Sequence, residues 1–246
     1  MIDTHCHVDL YPNPTEIAHQ ADGAGILTIV VTNLPSAFER AQPHIRSFKN
    51  IRLALGLHPL AAEHHLAERE RFAKLIDKTS YVGEIGLDFS RAGFATKDLQ
   101  VESLRFVLKA LGGKPKFVTL HSRQAEAQVL DILDEANRSP VVFHWFSGSL
   151  KTLGRALNKG HFFSLNPAMI QSPNGKKIID ALPPDRVLTE SDGPFVKIGN
   201  RPVLPSDVEV VEEYLAGLWG MKMFEVSAKI RENFLDVIKP LRHHEK

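Results

Sequence analysis

Histidines stand at positions 5 and 7, in the opening run Met1-Ile2-Asp3-Thr4-His5-Cys6-His7. Side chains alternate along a strand, so two histidines two residues apart point to one side. Their imidazoles could then share one cation, and zinc and related metals favour such nitrogen ligands. Two ligands do not complete a site, so distant parts of the chain must supply the rest. The same alternation turns Cys6 away from its neighbours, toward the helix layer, where it is expected to pack rather than ligate.

Those distant ligands need regular elements to carry them. Short β-branched runs at 2–8, 26–32, 51–57, 81–87, 116–121, 141–145, 161–165 and 186–191 read as strands. Helical spacing appears between and after them, in Leu104, Val107, Leu108 and Leu111 and in Val129, Ile132, Leu133 and Ala136. Two more helices close the chain, one carrying Val208, Val211, Leu215 and Leu218, the other Val226, Ile230 and Phe234. Pro205-Ser206-Asp207 suits the start of the first. Pro43 should interrupt the segment 35–48, the weakest of the helices. Eight strands alternating with helices predict a parallel α/β sheet closed into one (β/α)₈ TIM barrel, a single domain over 1–246.

In such a barrel the active site lies at the carboxyl ends of the strands. Five of the twelve histidines fall there: His5, His7, His58, His121 and His144. The fourth and eighth strands add Glu84 and Asp192. Gathering so many titratable groups is costly unless something pairs them, and divalent cations would do so. His19, His44, His64, His65 and His161 lie in helices, connections or a strand start, and His243 and His244 in the tail 241–246, which is expected to fray.

The composition is that of an ordinary soluble globular chain: 43% hydrophobic and 24% charged residues, with 30 basic against 29 acidic. A net charge of +1 provides no broad basic field, so any nucleic acid would be held by a local patch. Cys6 is the single cysteine, which excludes an internal disulfide and a multi-cysteine zinc site. The apolar run 25–34 is far short of the ~20 residues a membrane helix needs. With no export signal ahead of the first strand, the expected location is cytoplasmic.

Six motifs in order carry a family resemblance. They are Asp3-Thr4-His5-Cys6-His7, Gly56-Leu57-His58-Pro59, Gly83-Glu84-Ile85-Gly86-Leu87-Asp88, His121-Ser122-Arg123, Phe143-His144-Trp145-Phe146-Ser147-Gly148-Ser149 and Thr189-Glu190-Ser191-Asp192-Gly193-Pro194. The chain resembles the TatD-family metal-dependent hydrolases of the amidohydrolase superfamily nearly end to end. The resemblance implies a barrel with two divalent ions (Mg²⁺, Mn²⁺ or Zn²⁺) and cleavage of DNA, exonucleolytically from 3′ ends. It assigns His5, His7 and Asp192 to one ion and His121 and His144 to a second, with Glu84 bridging. A carboxylate can span two cations whereas a neutral imidazole binds one, which agrees. Asp192 and Glu84 are the catalytic candidates: Asp192 would orient or deprotonate a water activated by two ions about 4 Å apart.

His58 is expected to donate a hydrogen bond to a substrate oxygen, or else to be structural. Arg123 could clamp a phosphate through its planar fork, or begin the next helix as a surface residue. Glu190 shares parity with Asp192 and should stand behind the ligands, while Lys197 and Arg201 could touch the nucleic-acid backbone. The chain departs from many family members at Trp145, where they carry cysteine, at the stretch Arg201-Pro202-Val203-Leu204-Pro205, and around Gly112-Gly113-Lys114-Pro115. These changes spare the expected ligands and reshape the mouth. The expected partner is single-stranded DNA or a 3′ end. A second resemblance, to the TatD-like component of anti-phage defence operons, implies operon-encoded protein partners. Hydrolysis of an amide, ester or lactone, or mere binding of a nucleic acid or protein, are the competing functions, because fold does not fix function.

Overall fold

The computed structural model describes residues 1–242; His243 and His244 lie outside them. Eight parallel strands form the wall: β1 (Ile2–Cys6), β2 (Leu27–Val30), β3 (Ile51–Leu53), β4 (Tyr81–Gly86), β5 (Phe117–His121), β6 (Val142–His144), β7 (Phe162–Leu165) and β8 (Val187–Thr189). Their order around the sheet is sequential, in one run of three and one of five. Most strand residues are buried on both faces, as a parallel wall covered by helices requires.

Two seams join the runs. Between β3 and β4, Leu55 N donates to Tyr81 O and Gly83 N to Leu55 O, both at 3.0 Å, and Leu57 N donates to Glu84 O at 2.9 Å. Between β8 and β1, Asp192 N donates to His5 O and Thr4 Oγ1 to Thr189 O, both at 2.9 Å. Asp3 completes that second seam: its carboxylate accepts from Ser191 N at 2.9 Å, Ser191 Oγ at 2.6 Å and His5 N at 3.2 Å. The expected closed (β/α)₈ barrel is therefore the fold, with side chains stitching its last seam.

Helices ring the wall and bury the stripes expected from their spacing. Leu104, Val107, Leu108 and Leu111 are buried on Lys97–Leu111, as are Val129, Ile132 and Leu133 on Glu126–Glu135. Ala136 is different: it is the cap residue beyond that helix and is exposed. Leu218 is also exposed, at 42%, although Val208, Val211 and Leu215 on the same helix are buried. Pro43 does not break its segment, because it falls in the last turn of Pro35–Ile45. The terminal helix Met223–Arg242 runs through residues expected to fray and buries Leu241. A short hairpin, Lys197–Ile198 with Arg201–Pro202, had no signal in the sequence.

Candidate metal centre

The strand ends bring the expected ligands together around Glu84. Its Oε2 lies 3.3 Å from His5 Nε2, 3.1 Å from His7 Nε2 and 3.2 Å from His58 Nε2. Its Oε1 lies 2.6 Å from His121 Nδ1 and 3.0 Å from His144 Nε2. One carboxylate thus faces two sets of imidazoles, one set on each oxygen. Asp192 Oδ1 stands 3.9 Å from His5 Nε2 and 3.8 Å from His7 Nε2. His7 lies just past the end of β1, yet still reaches the same side as His5.

Local sequence explains how Glu84 is placed. A Cβ on Gly83 would stand 2.2 Å from Thr119 Cγ2, and one on Gly86 2.0 Å from His121 O. Glycine on both sides of Glu84 therefore lets β4 close against β5, which carries His121. Asp192 adopts φ 48°, the left-handed region uncommon for residues other than glycine. Its N–H bond to His5 O holds it there.

Among the described residues, three groups of possible ligand atoms each lie within 4.8 Å of one another: His5, His7 and Glu84; His5, His144 and Asp192; His58, Glu84 and His121. These groupings overlap the set implied by resemblance and add His58. His58 Nδ1, however, accepts from Leu60 N at 3.1 Å, so its neutral ring carries the proton on Nε2. A protonated Nε2 is a donor, not a ligand.

The donor set fits a cation. His5 Nδ1 lies 2.9 Å from Thr119 Oγ1; donating there leaves Nε2 as a buried lone pair with no hydrogen-bond partner among the described residues. That lone pair faces oxygens of Glu84 and Asp192, an arrangement a positive ion would convert from repulsion to attraction. His121 has the outer pairing common to metal-bound imidazoles, with Nε2 held by Asp88 Oδ2 at 2.8 Å while Nδ1 faces Glu84 Oε1 at 2.6 Å.

Electrostatics point the same way. Burial raises the Glu84 carboxyl, but His58, His144, His5 and His121 together hold it well below the usual range. Burial pushes Asp192 up to about 7, with Glu190 and Glu84 adding to the rise and His144 and His7 opposing it. Burial also lowers His5 to about 4, so its ring stays neutral. Burial opposes protonation of His144 too, but Glu84 and Glu190 raise it well above its ordinary value.

A supporting layer stands behind these groups. Glu190 accepts from Asn166 Nδ2 at 2.9 Å, Trp145 N at 3.1 Å and Ser164 Oγ, and faces His144 Nδ1 at 3.4 Å. Asp88 accepts from Ser90 N at 2.9 Å as well as holding His121. Glu190 had a parity signal, and Asp88 lies inside a motif but was given no role there. Thr119, Ser164 and Asn166 were missed, although Ser164 and Asn166 sit two apart at the end of β7.

A cavity of about 490 Å³ opens over the cluster, lined also by Arg123, Trp145, Phe195 and Leu60. Arg123 lies neither on β5, which ends at His121, nor in the next helix, which begins at Glu126. It is exposed in the loop between them. Arg201 is committed elsewhere, with both terminal nitrogens on Asp207 at 2.6 and 2.7 Å, so it braces the start of the next helix. Lys197 is exposed on the short hairpin and does not line the cavity. Cys6 is fully buried, its thiol 3.7 Å from Gly193 O, consistent with packing.

Residues 2–239 match the family model described as TatD related DNase. The chain is 25% identical to the deoxyribonuclease TATDN3 of Homo sapiens, over 99% of this chain and 96% of that protein. It is 28% identical to the uncharacterized metal-dependent hydrolase YabD of Bacillus subtilis, over 95% and 96% of the two chains. The solved structure of YJJV, a TatD homolog from Escherichia coli K12, superposes with a TM-score of 0.85 at 26% identity, covering 97% of each chain.

Proposed function

The chain belongs to the TatD-related DNase family of metal-dependent hydrolases, and on that premise we propose that it is a phosphodiesterase removing nucleotides from DNA ends in the 3′→5′ direction. The observation that carries the proposal is Glu84, whose two oxygens face separate sets of imidazoles within 3.3 Å. His5, His7 and Asp192 would hold one divalent ion, and His121 and His144 the other, with Glu84 spanning both. Mg²⁺, Mn²⁺ and Zn²⁺ all suit parts of this set. When bound, such ions polarise a phosphodiester oxygen and make water acidic enough to act near neutral pH.

The protein's own groups then orient and move protons. Asp192 takes the proton of the attacking water on its carboxylate, which stands beside the cluster with Oδ1 3.8 Å from His7 Nε2. His58 presents Nε2–H to a non-bridging phosphate oxygen, its ring fixed by the Leu60 N–H bond. Arg123, at the rim, clamps the same phosphate through its planar fork. Asp88 keeps His121 in one tautomer and orientation. A net charge of +1 supports a short contact with a strand end over a long duplex track.

End-labelled single- and double-stranded DNA, incubated with Mg²⁺ or Mn²⁺ beside Glu84→Ala and His121→Ala, tests the proposal. The expected result is shortening of single-stranded or frayed ends by wild type, lost in both variants. Intact DNA under every metal, with cleavage of a simple amide or ester, would overturn it. The proposal extends to cytoplasmic anti-phage defence with operon-encoded partners, supported by the second sequence resemblance and tested by plaque counts with the Glu84→Ala variant.

A further inference from the structure

We propose that Trp145, with Phe195 in the wall of the same cavity, forms the platform on which the unpaired terminal base of the DNA strand stacks. The inference rests on the nuclease reading of the site and names what that site grips.

Trp145 is placed against the grain of its neighbours. His144 and Phe146 are 5% and 1% exposed, whereas Trp145 between them is 37% exposed. Its φ is 39°, a left-handed conformation rare for a bulky side chain, and its N–H is tied to Glu190 Oε1 at 3.1 Å. Strained backbone of this kind collects at functional sites. Here the same buried carboxylate that faces His144 also holds the turn that sends the indole outward.

Phe195 follows Asp192 by three residues, is 58% exposed, and stands edge-on to His7 with ring centroids 5.0 Å apart. Both aromatics line the cavity that holds Glu84 and Arg123. A ligand matched to this mouth has a flat apolar face joined to a phosphate, which is the chemistry of a nucleotide. The volume of about 490 Å³ is that of a small-molecule pocket, and it favours one splayed base over a duplex. Stacking on an aromatic face tolerates any base, as an end-trimming enzyme requires.

The test combines protein and substrate changes in steady-state cleavage of single-stranded DNA. Trp145→Ala is expected to raise KM about tenfold with kcat within about threefold, and Trp145→Phe to restore most of the loss. Replacing the terminal nucleoside by a base-less tetrahydrofuran residue should raise the wild-type KM similarly and leave the Trp145→Ala value unchanged. The chain's other tryptophan is Trp219. In a Trp219→Phe protein, a phosphorothioate oligonucleotide should quench the remaining fluorescence, and its tetrahydrofuran-ended form should not. An unchanged KM in Trp145→Ala, or an equal penalty for the missing base in both proteins, overturns the inference while leaving the nuclease standing. Wild type that cuts no DNA overturns both.

Discussion

Asp3 and Glu84 are both carboxylates with almost no solvent exposure, 0% and 1%, on strands of one barrel. Asp3 is answered by the protein itself, with two backbone N–H groups and the Ser191 hydroxyl on its oxygens. Glu84 is faced by imidazoles, among which His5 Nε2 is a lone pair that itself needs a partner. The two histidine populations divide likewise. His161, 1% exposed, accepts from Val141 N at 3.2 Å on Nδ1. His5, equally buried, keeps an unpartnered Nε2. Burial of a charge therefore does not mark a site, and neither does one unpartnered atom, since Glu212 Oε1 and His65 Nδ1 also lack partners among the described residues. The convergence of many such groups on one carboxylate does.

Substitutions can break that contrast. The largest effect is expected at the mouth: Glu84→Gln should cut DNA cleavage at least about 1000-fold, or about 4 kcal/mol in barrier. Its metal-stripped melting temperature should stay at or above wild type, because crowded functional groups are held at a cost to stability. A large fall in that melting temperature would show Glu84 to be a stitch like Asp3.

At the seam the pattern should reverse. Asp3→Ala leaves three buried donors unanswered and should destabilise the fold by about 3 kcal/mol, read from urea unfolding. Properly folded protein should keep most of its catalytic turnover. Asp88→Asn lies between the extremes: it keeps the shape but weakens the grip on His121. Metal affinity should fall about 10- to 100-fold, measured by competition with a chelating dye, with little change in stability.

The smallest effect belongs to the barrel wall. Burial lowers His161 to about 4, below the ordinary 6.5. The unfolded chain therefore takes up the proton first as pH falls, so this stability is full above about 6.5 and is lost toward 4. His161→Gln should be about 1 kcal/mol less stable than wild type at pH 7.5. At pH 4.5 the order should invert by about 1–2 kcal/mol, because only wild type has lost the linked stability. Urea midpoints that stay parallel across this range would remove His161 from the satisfied class.

What could be read in the sequence follows the same division. The eight strands and the cluster around Glu84 were visible because histidine and carboxylate are conspicuous at strand ends and alternation fixes their side. Asp3 and Ser191 are 188 residues apart, and serine and threonine are too common for either partner to announce the other. Thr119, Ser164 and Asn166 escaped for that reason. Strand β3 was expected to run to residue 57 but ends at Leu53, because Leu55 and Leu57 pair with β4 through isolated bonds rather than a ladder. Arg201 looked available for DNA until the fold brought Asp207 to its guanidinium. Periodicity could not show that Ala136 lies past a helix end or that Leu218 faces outward.

Metal uptake by the chelator-stripped protein tests the central claim most directly. Calorimetric titration with Mn²⁺ or Zn²⁺ should give a stoichiometry of two ions per chain in wild type, and loss or at least about 100-fold weakening of binding in Glu84→Ala. A wild-type chain that takes up no divalent ion, or a Glu84→Ala chain that binds as wild type does, would contradict the account.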